Sequence, residues 1–379
     1  MLTKLSILIA AFFQTAAGVQ VVEEKYPDGT IKARREVVPS RGGAVNHGES
    51  TTFYQNGQPA EKTRYVSGVP DGPAIEYHRN GKVKRERTLD SGKLHGVELT
   101  YHDNGAKASE MHYHQGVKHG AHVAWSRAGN KLLEEQYDRD QLHGKLERWQ
   151  GDGEPLLLHH YQRGQLHGPF ASWFDNGRPY METTYREGRK HGNYREWHRN
   201  GQLRIEARYH DGLLHGKRTQ WFADGQKQFD EEYVSGEPHG EWTHWYDEKP
   251  HPVKSVRNYD NGAPQGKHTY WHVTGEKHLE MTFYEGRRQG PWTEWHKNGR
   301  VKTEGNYAAD KLQGDVKFYY EDGAPWAVHR YLRGVQQGWS QEWDEEGRVL
   351  KQERYERGML IEDRSPRRPA QAAASRSRR

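Results

Sequence analysis

The sequence predicts an all-β protein: an elongated, solenoid-like, twisted antiparallel sheet of stacked β-hairpins, about thirteen repeats of 24 residues. Three observations predict it. Glycines stand at Gly48, Gly72, Gly96, Gly120, Gly144, Gly168, Gly192, Gly216 and Gly240, each 24 residues after the last, and at Gly266, Gly290, Gly314 and Gly338 after one step of 26. An aromatic residue stands five positions after every one of them, from Phe53 and Tyr77 to Tyr319 and Trp343. A second glycine follows nine positions after the marker in twelve repeats, preceded by Asn or Asp in nine. Self-similarity at a fixed short period is the signature of a stacked array in which each unit buries its apolar face only against its neighbours.

Position n denotes the residue n places after a marker glycine, and the repeats are numbered from Gly48. The chain opens on a segment unlike the rest. Lys4 precedes an apolar stretch from Leu5 to Phe13, followed by Thr15, Ala16, Ala17 and Gly18, the layout of a secretory signal over residues 1–18. The stretch is too short to span a bilayer as a helix. A partial repeat with the turn Tyr26-Pro27-Asp28-Gly29 occupies 19–47, the regular array runs over 48–361, and an arginine-rich tail over 362–379 is expected to be disordered.

Within the array each repeat reads as strand, Asn-Gly turn, strand, glycine-containing turn. Residues 193–199, Asn200-Gly201 and 203–210 show it best, because Asn-Gly between alternating strands is the strongest local hairpin signal. A second aromatic recurs at position 17, Tyr113, Tyr137 and Tyr161 among others, with Leu89 in repeat 2. Acids recur at position 14 (Glu86, Glu110, Glu134) beside apolar residues at 13 (Leu133, Leu157, Ile205), so 13 and 17 share an apolar side while 14 faces water. A three-residue loop with glycine at the bulge would then bring the position-5 aromatics onto the same side as position 17, giving one amphipathic face. Two extra residues around Pro250 and Pro252, with Lys249 where the turn glycine belongs, are expected to kink the array.

Composition fits a thin aromatic sheet better than a thick aliphatic core: 13 Trp, 22 Tyr and 9 Phe accompany 42 Gly, five Met and no Cys. The final segment from Glu362 holds six of the 57 basic residues and two of the 52 acids, which leaves 51 and 50 in residues 1–361. A body that near to neutral, with mixed-sign runs such as Lys82, Lys84, Arg85, Glu86, Arg87, lacks the concentrated cationic stripe of a nucleic-acid binder. No nucleophile elbow, phosphate loop, zinc motif or localised carboxylate pair interrupts the period, so the sequence points to no enzyme, no cofactor and no metal.

The repeats resemble MORN-type repeats in the variant with the pattern aromatic, x, x, Asn-Gly, then Tyr, x, x, Gly, x, x, His-Gly, from about Tyr26 to Gly358. The resemblance implies a twisted sheet of hairpins used for scaffolding, protein tethering and sometimes lipid contact; similar variant repeats occur in bacterial proteins labelled YwqK-type antitoxins. It fixes no ligand. The chain departs from the pattern at Lys249 and at the marker histidine, which gives way to Gln265, Gln289, Gln313 and Gln337 in the last four repeats.

The histidine column, His47, His95, His119, His143, His167, His191, His215 and His239, is spaced two strands apart, roughly 9.5–10 Å, too far for shared metal ligation. Gln and Asp71 in the same slot point to turn capping. Aromatics that break the period are the candidate partner contacts: Phe170, Tyr194, Trp242 and Trp292 at position 2, with Trp326 and Trp339. The function expected is a non-enzymatic scaffold contacting an unidentified protein partner outside the cytoplasm. The alternatives are an antitoxin that makes one tight complex, and contact of the arginine tail with an anionic surface.

Overall fold

The computed structural model describes residues 18–366, so residues 1–17 of the signal and 367–379 of the basic tail lie outside the described residues, whereas Glu362 and Asp363, read from the sequence as part of a disordered tail, end the last strand, paired with Arg354 and Glu353. These hold 34 strands and no helix, and every strand pairing is antiparallel. The chain divides into two compact bodies, Met1–His191 and Gly192–Arg379. Each is a run of hairpins built on one pattern. In the first body Val117–Trp125 pairs with Lys131–Asp138, and in the second Leu213–Trp221 pairs with Lys227–Val234.

The turn has the chemistry the sequence asks for. His102 N–H donates to Ala106 O and Gly105 N–H to His102 O, both at 2.8 Å, closing a three-residue loop. Gly105 has φ 89°, the left-handed conformation that a glycine bulge requires. The asparagine before it has its own task. Its amide donates to a backbone carbonyl of the next turn, Asn80 to Asp103 O at 2.8 Å and Asn298 to Glu321 O at 2.7 Å, stacking equivalent turns. The opposite turns stack through the backbone, Gly92 N–H to Pro70 O and Gly116 N–H to Leu94 O.

The faces differ from the sequence expectation. Ala124 pairs with Leu133, but Trp125 pairs with Lys131, so Leu132 is an extra residue beside the turn. The same shift recurs in repeat after repeat, for example at Tyr101 and Lys107 and at Tyr319 and Pro325. This second bulge reverses the parity set by the loop. Positions 2, 4, 13, 15 and 17 share one side, the tyrosine face, and positions 1, 3, 5, 14 and 16 the other, the tryptophan face. The two aromatic columns lie on opposite sides, not on one.

On the tyrosine face the deepest line is formed by the cross-strand pair of positions 2 and 15. Ala74, Leu146 and Val316 at position 2, and Met111, Ala207 and Glu231 at position 15, are all buried. On the tryptophan face the ring at position 5 lies under a lysine from position 11 of the preceding repeat: Lys107 over Trp125 at 5.2 Å, Lys131 over Trp149 at 5.4 Å and Lys277 over Trp295 at 5.4 Å. The carboxylate at position 14 holds that lysine, Glu110 at 3.0 Å and Glu134 at 2.8 Å, so the acidic column is the clamp of the tryptophan ladder.

The marker glycine sits in a wider irregularity, where His143, Gly144 and Lys145 oppose Gln136 alone. At Gly120 φ is 100°, and a Cβ would meet the His112 side chain at 3.3 Å, so both backbone and neighbour demand glycine. The insertion near Pro250 leaves the ladder intact. Trp245 pairs with Val253 and His244 with Ser255 in the usual shifted register, and the extra residues enlarge the turn closed by Tyr246 N–H to Pro252 O. His251, at φ 60°, takes the left-handed conformation that Lys249 vacates, its ring stacked on Phe222 at 4.9 Å and bonded to Asp224 at 2.9 Å.

Candidate functional site

The six off-period aromatics separate into two groups. Position 2 lies on the tyrosine face, so Phe170 stacks on His159 at 4.1 Å and Tyr194 meets Tyr209 edge-on at 5.8 Å. Trp242 lies between Tyr233 and Tyr259 at 5.0 and 4.8 Å, its indole N–H donating to Glu232 O at 2.9 Å. Trp292 packs beside Tyr307 at 5.8 Å, over Gly305, where an added Cβ would lie 3.0 Å from the indole nitrogen. These four join the position-17 ladder instead of standing apart from it, and Tyr194 is only 8% exposed. Trp326 and Trp339 are 44% and 37% exposed. They do not form a single patch. Trp326 meets Phe318 of the tyrosine face at 5.5 Å, whereas Trp339 at position 1 is on the tryptophan face, with the Arg364 guanidinium 4.9 Å over its ring.

Polar groups on the tyrosine face are tied into networks. Glu231 is buried and accepts from Tyr233 Oη at 2.8 Å and Arg218 at 2.7 Å, with His244 Nε2 at 3.0 Å. Glu135 repeats the arrangement with His122 at 2.8 Å and Tyr137 at 2.9 Å. Burial acts to raise both carboxyls, but the hydrogen bonds from histidine and tyrosine outweigh it and hold them below the usual range. Burial, with the hydrogen bond to the carboxylate, pushes the Tyr137 and Tyr233 hydroxyls up to about 12. A strongly shifted carboxylate can mark a catalytic acid. Here its acceptor capacity is taken up within the sheet.

In seven repeats the marker column caps turns, while the Nδ1 atoms of His95 and His239 make no hydrogen bond. The Nδ1 atoms of His47, His167 and His215 accept the backbone N–H of Ser67, Glu187 and Ser235 at 3.2–3.4 Å. Gln265, Gln289, Gln313 and Gln337 do the same through Oε1 at 2.9–3.0 Å. The capped residues have positive φ, from 47° to 51°, in two-residue turns. Histidine and glutamine alternate in this slot because both present an acceptor at the same reach.

Large apolar side chains gather near the end of the array. Among the described residues seventeen are well exposed, and eight of them fall between Trp326 and Ile361: Trp326, Leu332, Val335, Trp339, Leu350, Met359, Leu360 and Ile361. The residues 359–361 lie on Met359–Asp363, which pairs on one side with Val349–Glu356. Sequence reasoning missed this concentration, since the same positions also hold apolar residues in other repeats, such as Val66, Val69, Leu213 and Val234.

A family model for the MORN repeat variant matches residues 46–67, 70–90, 94–115, 190–211 and 288–309. Every matched segment begins two residues before a marker glycine, so the phase of the match agrees with that of the hairpins. No curated protein matches the chain. Two solved structures, titled "Crystal Structure of TcdB2-TccC3-TEV" and "Crystal Structure of TcdB2-TccC3 without hypervariable C-terminal region", are similar over 92% and 89% of this chain at 12% identity, with a TM-score of 0.17 in each case. The chain spans about a fifth of each of those chains, 22% and 20% of their length.

Proposed function

We propose that this chain, which carries MORN-variant repeats, is a non-enzymatic scaffold that binds another polypeptide through the last repeats of its array. Repeats of this kind serve as binding scaffolds. The observation that carries the reading is the concentration of exposed large apolar side chains in the last repeats, between Trp326 and Ile361 on both faces of the sheet, because exposed apolar groups gathered in one part of an otherwise polar protein mark contact sites. A polypeptide suits it: flat hairpin surface with spaced aliphatic and aromatic groups offers many moderate contacts and no deep enclosure for a small substrate.

The test replaces Leu332, Val335 and Leu350 together by Ser. All three are exposed, so each change should alter stability by no more than about 0.5 kcal/mol. A specific protein retained by the intact chain from its native host should be lost by the triple variant. Undiminished retention would remove the cluster from the site, and retention of lipid vesicles alone would replace the polypeptide by an anionic surface.

The scaffold is proposed to work outside the cytoplasm, on the strength of Lys4, the apolar stretch Leu5–Phe13 and the small residues after it. The intact mass of native protein should correspond to a chain beginning near Gly18. A mass that includes residues 1–17 in a soluble cytosolic fraction would reject export.

A further inference from the structure

Positions 4 and 12 adjoin beside the turn, and in repeats 2, 7, 8 and 11 they hold a polar pair. Glu76 meets Lys84 at 3.6 Å, Gln220 bonds Gln228, Glu196 bonds Arg204 and Glu294 meets Lys302 at 2.7 Å. Repeat 12 places two aromatic rings there instead, Phe318 and Trp326, edge to face at 5.5 Å and 76°. Tyr320 completes the group 6.4 Å from Trp326, anchored by its hydroxyl, which donates to Trp343 O at 2.8 Å. Between these three rings and the Glu294–Lys302 pair lies a cleft of about 410 Å³, floored by Thr303.

Two facts define its occupant. The surroundings are acidic on balance: Glu294 and Glu321 line the cleft against the one lysine, Lys302, which holds Glu294 at 2.7 Å, and the Tyr320 hydroxyl is held up by desolvation and by the carboxylates of Glu345, Asp344, Glu342 and Glu346. Elsewhere this chain covers exposed rings with its own cations, Arg364 over Trp339 at 4.9 Å and Arg288 over Tyr307 at 4.3 Å. Among the described residues no cation lies over Trp326. An indole face beside excess carboxylate attracts a weakly hydrated planar cation more than any neutral group.

We propose that this cleft receives an arginine side chain of the partner polypeptide, its guanidinium on the Trp326 ring and towards Glu294, its methylene stem against Phe318. The assignment rests on the scaffold reading and adds the chemistry of one contact to it.

The test uses the full chain with 5-fluorotryptophan in place of tryptophan and follows the Trp326 fluorine resonance, assigned by its loss in Trp326→Ala. The probes are acetyl-Gly-Arg-Gly-amide and the same peptide with citrulline, which keeps the shape and removes the charge. A saturable shift with the arginine probe is expected, at least tenfold weaker with citrulline, and at least threefold weaker in Glu294→Gln. Equal response to both probes, or none to either, overturns the proposal. A chain ending at Pro366 separates the sources. If the arginine probe shifts only the shortened chain, the protein's own tail fills the cleft and the partner is excluded from it. A partner retained equally by the intact chain and by Trp326→Ala would sink the cleft assignment and leave the scaffold standing. Loss of all polypeptide capture with the arginine response intact would do the reverse.

Discussion

Glu231→Ala is expected to destabilise the repeats around it by about 2–4 kcal/mol, the range for breaking a buried ion pair reduced somewhat because its cations are part-exposed. The carboxylate is 7% exposed and takes hydrogen bonds from Tyr233 and Arg218 and a contact with His244. Alanine would leave the half-buried Arg218 guanidinium without its close anion, with solvent able to replace it only in part. The matched control is Glu206→Ala, which breaks the exposed pair to Arg195 at 2.9 Å and should change stability by no more than about 0.5 kcal/mol. Hydrogen exchange resolved by repeat is the measurement, since loss should concentrate in repeats 8 and 9. Equal effects of the two variants would refute the buried-network reading.

The same network sets an acid dependence. Burial opposes ionisation of Glu231, the bonds from His244, Tyr233 and Arg218 overcome it, and the native carboxyl titrates below its unfolded value. Its contribution is therefore present above the ordinary carboxylate range and is lost as the pH falls through the lowered native value. Burial lowers His268 and His329, so the unfolded chain takes up those protons first and stability begins to fall below about pH 6.5. His251 has the opposite sign. Its bond to Asp224 raises it, so its contribution is full below about pH 6.5 and fades as the pH rises through the native value. Urea midpoints from pH 8 to 3 should show the two acid losses in that order, and Glu231→Ala should abolish part of the second only.

Much of the repeat was legible because its signals are single residues with a backbone reason. Gly105 and its equivalents announce the bulged loop, Asn80 stacks on the next turn, and the interchange of His215 with Gln313 identifies a cap. The second bulge was not legible. Leu132 and its counterparts need no special residue type, and without them the register gives the wrong side for every tryptophan. The column at positions 2 and 15 was hidden for another reason. Its members vary in size and only some pairs compensate: Tyr194 faces Ala207, Trp292 faces Gly305 and Ala74 faces Arg87, whereas Trp242 faces Arg257 and Arg218 faces Glu231. A search for large-small complementarity thirteen residues apart would have found the compensating pairs, and would have placed Trp292 and Tyr194 in the ladder from the start. Trp326 differs because it is the extra residue of the second bulge, without a cross-strand partner, and its ring meets Phe318 edge to face beside the cleft.

Removing residues 120–143 is expected to leave a folded chain one repeat shorter, whereas removing residues 120–131 should unfold the flanking repeats. The first deletion joins His119 to Gly144 and preserves every position number, so Lys107 meets Trp149 where it had met Trp125, and His102 finds the Trp149 carbonyl in place of that of Trp125. No buried partner is orphaned, because Glu135, His122 and Tyr137 all belong to the repeat that is lost. The second deletion takes the strand from Gly120 to Trp125 with its turn and leaves Lys131–Asp138 partly in place, so the following strand would run in the wrong direction for its antiparallel partner. Stability in such an array is a sum of repeat and nearest-neighbour terms, so the 24-residue deletion should lower the thermal midpoint by only a few degrees, roughly the effect of about 1 kcal/mol. The 12-residue deletion should abolish exchange protection from Lys107–His114 to Pro155–Gln162. Global unfolding of the 24-residue deletion would show that distant repeats support one another, and the nearest-neighbour account of this sheet would fall.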